Sequence, residues 1–231
     1  MNLYFIIPII ILLFIVVFLI YNEIENRKLL KTVTSLDRGT SSERKMVLRI
    51  LKSGIKSTAI FHDLYLNNGN EQYSQIDIVV ATKVGIIVFE VKEYSGWIFG
   101  SENQVNWTQL LAYGKQKYKF YNPILQNKKH IEDLRRVYNF DDIPIYSLIV
   151  FFGNCTLKNP INLPHGTYLT KSNSVMEWFN NILEKQKLVR YGNQWDIANF
   201  LKQAVENGES SIIREKHLNN IQRLKFINKS N

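Results

Sequence analysis

The chain has 231 residues and a net charge of +9, none of it on residues 1–22. Set apart from its apolar start, the chain is long enough for one domain with a real core, or a domain plus an extension. A single cysteine, Cys155, rules out an intrachain disulfide, argues strongly against a cysteine-based zinc site, and fits a reducing compartment. The positive excess points to a polyanionic partner, either nucleic acid or an anionic membrane face; added solubility is the plainer alternative.

Leu3 to Tyr21 is an uncharged apolar run. As a helix it spans roughly 28 Å at ~1.5 Å per residue, close to a bilayer core. It lacks the basic start and small-residue cleavage site of a signal peptide, so residues 1–21 read as an uncleaved anchor. Pro8 lies early in the span, where its missing N–H is tolerated. Arg27, Lys28 and Lys31 follow the run. They favour a single-pass cell-membrane topology with the C-terminal part in the cytoplasm. Residues 22–38 read as a polar juxtamembrane linker.

Next comes "SSERKMVLRILKSG", a helix with Ser41 or Ser42 as cap, Val47, Leu48, Leu51 and Ile55 at helical spacing, and Gly54 at its end. Residues 58–66 read as a strand and "NNGN" as a turn. "QIDIVVAT" and "GIIVFEVK" are β-branched runs with a very short connection, which predicts a hairpin of central strands covered on both faces. "GWIFG" is a further short strand. Asn122-Pro123 opens a helix with Ile124, Ile131 and Leu134 on its buried face. Residues 144–153 form another buried strand, and residues 171–207 read as helical. A basic amphipathic helix ends the chain. The order predicts an α/β fold, a mixed sheet flanked by helices, followed by a mostly helical basic extension over residues 156–231. No glycine-rich phosphate loop, Gly-x-Ser-x-Gly or His-Glu-x-x-His occurs, which argues against nucleotide-driven motors, dinucleotide enzymes and those hydrolases.

Within the hairpin, Glu90 and Lys92 share a face, with Val91 on the other. If Lys83-Val84 is the tip, paired residue numbers sum to 167 and Asp77 lies opposite Glu90. Directly paired Cβ atoms are about 4.5–5.5 Å apart, and two adjacent carboxylates repel unless one is neutral or a cation intervenes. Carboxylate oxygens suit Mg²⁺ or Mn²⁺, with the Val91 carbonyl as a further ligand and Lys92 beside the metal water. A buried ion-pair cluster without catalysis is the equally weighted alternative.

Asp, some dozen residues, then Glu-x-Lys across a hairpin resembles the PD-(D/E)xK nuclease motif. "SSERKMVLRIL", "QIDIVVATKVGIIVFEVKEYSGWIFG", Trp107 and "NPILQ" resemble, in that order, the nuclease-related domain, NERD, over residues 39–155. The resemblance implies a restriction-endonuclease-like core and a metal-dependent nuclease. Asp77, Glu90 and Lys92 match its catalytic residues, Glu43 its first-helix acid, and Gln126 the Gln after Asn-Pro. Two positions depart from its pattern: Ser42 stands in place of a Gly and Glu93 in place of an Asn. Read without the resemblance, Glu43 is equally a first-turn acid favoured by the helix dipole, and Gln126 equally a polar residue at a helix start.

Lys115, Lys117, Lys119, Lys128 and Lys129, interleaved with aromatics, form a candidate nucleic-acid surface, with DNA expected ahead of RNA. A solvated face is the alternative. Trp97 and Trp107 read as packing residues, and His62, His130, His165 and His217 as structural or surface residues. Rival functions are a catalytically inactive nuclease-fold module that binds nucleic acid or a protein at the membrane, and a membrane-surface scaffold.

Overall fold

In the computed structural model, residues 3–138, 140, 143–158 and 162–230 are described. The chain is a mixed α/β structure with a helical C-terminal region, as the sequence predicts, and it has two sheets.

Helix α1 (Leu3–Leu30) begins the chain and is continuous through residues 22–30, the first part of the predicted linker. Leu30 is buried against the core that contains α2 (Ser41–Lys52). The cap of α2 is Thr40 rather than either serine. Its hydroxyl accepts from the Glu43 N–H and donates to Glu43 Oε1. Both bonds run through the Thr40 hydroxyl, and they fix Glu43 at the helix start.

Strands β1 (Ile60–Asn67), β2 (Tyr73–Thr82), β3 (Gly85–Glu93), β7 (Ile145–Phe152) and β9 (Thr167–Lys171) form the first sheet in that order. β1, β2 and β3 are antiparallel neighbours, while β3–β7 and β7–β9 are parallel. The near-continuous apolar runs of β2 and β3 follow from cover on both faces. On one side pack α2 and α4 (Val175–Lys185), with Met46, Val47, Ile50 and Phe179 against Phe89 and Val91. On the other, α3 (Pro123–Val137) and α5 (Gln194–Asn207) bring Leu134, Ile197 and Leu201 against Val79, Ile86 and Val88.

A second sheet, of order β6-β5-β4-β8, is only partly foreseen by the sequence. It comprises β4 (Gly96–Phe99), β5 (Asn106–Leu111), β6 (Gln116–Tyr121) and β8 (Cys155–Leu157). β3 and β7 run on into β4 and β8 and keep their parallel pairing across the corner, where the Tyr94 N–H donates to the Phe152 carbonyl at 3.1 Å. Gly153 turns that corner with φ 80°; a Cβ there would lie 2.3 Å from the Tyr94 carbonyl oxygen. Trp107 is buried between the sheets and stacks on Phe151, as a packing residue should.

The predicted helical run over residues 171–207 is corrected. Lys171 ends a strand, and α4 and α5 are separated by an extended segment whose Tyr191 hydroxyl donates to the Thr82 carbonyl. Helix α6 (Ser211–Ser230) follows.

Candidate active site

The hairpin forms in the expected register: Thr82 pairs with Gly85 and Ile78 with Phe89, each summing to 167. The ladder ends one step before Asp77 and Glu90. There Asp77 Oδ2 accepts from the Val91 N–H at 2.7 Å. On the far side of β2, the β1–β2 register skips Asp63, the residue across from Asp77. Asp63 has a left-handed backbone, φ 55°. Such strain persists only when surroundings enforce it. Here Arg38 holds both the Asp63 carbonyl and its carboxylate, and Gln75 holds the second carboxylate oxygen.

Glu90 is fully buried. Lys92 Nζ lies 2.6 Å from its Oε1, and His130 Nε2 lies 3.4 Å from its Oε2. Neither contact has hydrogen-bond geometry, so both oxygens of a buried carboxylate lack an aligned donor. Lys92 instead donates to Gln126 Oε1 at 2.9 Å. α3 therefore supplies two groups one turn apart, Gln126 and His130. Glu43 repeats the pattern: Oε1 accepts from Thr40, while Oε2 sits 3.3 Å from His62 Nε2 without an aligned donor. His62 is held in turn by Thr34 at 2.8 Å. Gly39 (φ 59°) is packed against this pair, and a Cβ there would fall 2.4 Å from Glu43 Oε2.

The two hairpin carboxyls are pushed apart electrostatically. Burial, then the charges of Glu90 and Glu43, raise Asp77 well above the ordinary carboxyl range. Burial also opposes ionisation of Glu90, but His130 and the Lys92 ammonium outweigh it and hold that carboxyl low. Glu43 is likewise held low against burial, by His62 and Thr40. Burial works against the charge on Lys92, yet Glu90 and Asp77 keep it more basic than a free lysine. The result is an ionised Glu90–Lys92 pair beside a carboxyl that resists ionisation in the absence of another cation. Asp77, Lys92 and Gln126 each keep some solvent contact, whereas Glu90 is sealed.

Among the described residues, no three His, Cys, Asp or Glu side chains form a ready-made metal cage. A cage is not required for Mg²⁺, which keeps several waters and is usually held by one or two carboxylates. The Asp77–Glu90 pair fits that mode, with neither Glu90 oxygen held by an aligned hydrogen bond.

The predicted site residues fall into three places. Asp77, Glu90, Val91, Lys92 and Gln126 converge, with Glu43 near enough for its charge to act on Asp77. Lys115, Lys117 and Lys119 lie on or beside exposed β6, apart from Lys128 and Lys129 on α3. Lys129 is engaged by Asp133 at 2.7 Å, and Lys128 lies 3.8 Å from Glu132. The sequence reading missed His130 and His62, which are buried beside the acids. Spacing offered a signal for the first, since His130 lies four residues after Gln126 and shares its helix face. Glu93, the acid that replaces the expected Asn, accepts from Ser42, the serine that replaces the expected Gly. The two departures are therefore one contact, joining β3 to the start of α2.

Residues 38–152 match the nuclease-related domain, NERD. An uncharacterized protein of Bacillus anthracis is 32% identical over 121 residues, covering 52% of this chain and 56% of that relative. The chain thus spans little more than half the length of the relative it matches. No solved structure matches the chain. The match covers α2, the Asp77–Glu90–Lys92 hairpin and the Gln126–His130 helix, and through residues 38–152 the chain belongs to the nuclease-related domain family.

Proposed function

We propose that the chain is a membrane-anchored, metal-dependent nuclease that hydrolyses phosphodiester bonds of nucleic acid. The observation that carries this is the convergence of Asp77, Glu90 and Lys92: Glu90 is sealed from solvent with the Lys92 ammonium 2.6 Å from Oε1, across the hairpin from Asp77. Asp77 and Glu90 would hold a Mg²⁺ or Mn²⁺ ion, with the Val91 carbonyl as a further candidate ligand. Such an ion supplies an activated water and offsets charge on the phosphate. Lys92, steadied by Gln126, presents an ammonium at the open side of the site, where it can hold a scissile phosphate and stabilise the charge that develops there. His130 and Lys92 keep Glu90 ionised, and Glu43 adds negative charge beside Asp77. The basic residues Lys115, Lys117, Lys119, Lys128 and Lys129 are the proposed electrostatic surface, with DNA favoured over RNA.

The test is cleavage by the full chain in detergent, with Mg²⁺ or Mn²⁺ against EDTA, on DNA and RNA. Metal-dependent cleavage that Glu90→Gln removes is the expected result. Intact substrate under all conditions would leave the inactive nuclease-fold module in its place.

The anchor rests on α1. Residues 7–30 are long and apolar enough to cross a membrane, with mean hydropathy 2.6 and none of the apolar window buried. Arg27, Lys28 and Lys31 at its end favour a cytoplasmic domain. In intact cells the C-terminus should resist external protease; digestion from outside would overturn this orientation.

A further inference from the structure

None of the four strands of the second sheet contains an acidic residue. Their inner face packs on the core through Ile98 and Trp107, so the alternate residues point outward. The register aligns those outward residues in rows. Trp97 pairs with Leu110, and Leu110 with Lys117; Phe99 pairs with Thr108, and Thr108 with Lys119. Tyr121 lies one row further along, opposite Asn106. At the other edge, Lys158 extends β8 and places Nζ 4.6 Å from the centre of the Trp97 ring. Aromatic rings thus lie between two lysine-bearing edges. Trp97, expected as a packing residue, is 39% exposed, and Tyr121 is 48% exposed.

The face is joined to the active site along the chain. Tyr121 is followed by Asn122, which caps α3, and the first turn of α3 carries Gln126, the partner of Lys92.

We propose that this outer face is a binding platform for single-stranded nucleic acid. Trp97, Phe99 and Tyr121 offer rings for stacking, while Lys117, Lys119 and Lys158 contact phosphates. A duplex shows proteins its phosphates and base edges, whereas rings on a flat sheet can engage base faces only when those are unpaired. Lys158 rests over the Trp97 ring, and a stacking base takes its place there as the ammonium moves to a phosphate. The choice of nucleic acid as ligand rests on the nuclease reading of the adjoining site; the binding itself needs no turnover.

The test is fluorescence anisotropy of a short labelled oligothymidylate with the full chain in zwitterionic nanodiscs and EDTA, compared with a duplex of equal length and with anionic vesicles. Trp97→Ala should weaken single-strand binding by about 5- to 150-fold, and Trp97→Phe should retain most of it. Lys119→Gln should lower the salt slope by about 0.7 for the lost contact. The duplex should bind more weakly and be indifferent to Trp97→Ala. Equal or tighter duplex binding, or an unchanged single-strand affinity in Trp97→Ala, overturns the platform. Preference for anionic vesicles overturns it too, assigning the face to lipid. If Trp97→Ala alters the near-ultraviolet dichroism, Lys119→Gln and Lys158→Gln decide: an unchanged salt slope in both overturns the proposal. Normal binding by Trp97→Ala with intact metal-dependent cleavage sinks the platform alone, whereas Trp97-sensitive binding without cleavage sinks the nuclease reading alone.

Discussion

Asp77→Asn, melted without divalent metal at neutral pH, should be more stable than the wild-type chain. Asp77 is costly as an anion because it is crowded by protein and by the charges of Glu90 and Glu43. Asparagine keeps the shape and can still accept from the Val91 N–H, the bond Asp77 makes at 2.7 Å. A rise of a few degrees is expected, since ~1 kcal/mol shifts melting by roughly 2–4 °C in a domain of about 150–250 residues. The pH dependence carries the sign. A raised folded pKa means the native state holds a proton that the unfolded chain releases near pH ~3.9. Wild-type stability therefore falls as pH rises from there to the elevated folded value, then levels off. Glu43 and Glu90 act oppositely, because both are held below their usual range. Their contribution is present above about pH 4.3 and is lost as pH falls through their folded values. The advantage of Asp77→Asn should thus be absent in strong acid and grow toward neutrality. Destabilisation of this variant across the pH range would mean that Asp77 serves as the partner of a buried cation.

Lys92→Met should abolish cleavage, by about 10²–10³-fold or more, the usual scale for removing a group that stabilises charge in a transition state. It should also lower metal-free stability, because Glu90 loses the ammonium 2.6 Å away and remains fully buried. Losing one partner of a buried pair typically costs about 3–5 kcal/mol. A divalent ion can then take the place of the lost ammonium. Mg²⁺ should therefore raise the melting temperature of Lys92→Met at least as much as that of the wild type, although the variant cleaves nothing. Residual cleavage near wild-type rates would remove Lys92 from the chemistry.

The hairpin was legible in the sequence because its information is local. Two apolar runs with a two-residue tip fix a register, and that register places Asp77 and Glu90 together. The packing around them was not. β6, "QKYKFY", is an edge strand exposed at five of its six positions, so it lacks the alternation that marks a half-buried strand. Residues 171–207 read as helical because both ends are helix-rich, but the extended segment between α4 and α5 is fixed by a long-range bond from Tyr191 to the Thr82 carbonyl. The left-handed Asp63 is imposed by Arg38 and Gln75 from elsewhere in the chain. His62 and His130 meet their acids only after α2 and α3 dock on the sheet. Conversely, Ser42 and Glu93, which looked like separate departures from a family pattern, explain each other once α2 lies against β3.

Whether the three hairpin charges form a metal site or an ion-pair cluster is most directly tested by titrating the full chain with Mn²⁺ and following the free-ion signal by electron paramagnetic resonance. The wild type should remove Mn²⁺ from solution, Mg²⁺ should compete for it, and Asp77→Asn and Glu90→Gln should each remove the binding while remaining folded. A free-ion signal unchanged by the wild-type chain, together with marked destabilisation of Asp77→Asn, would contradict it.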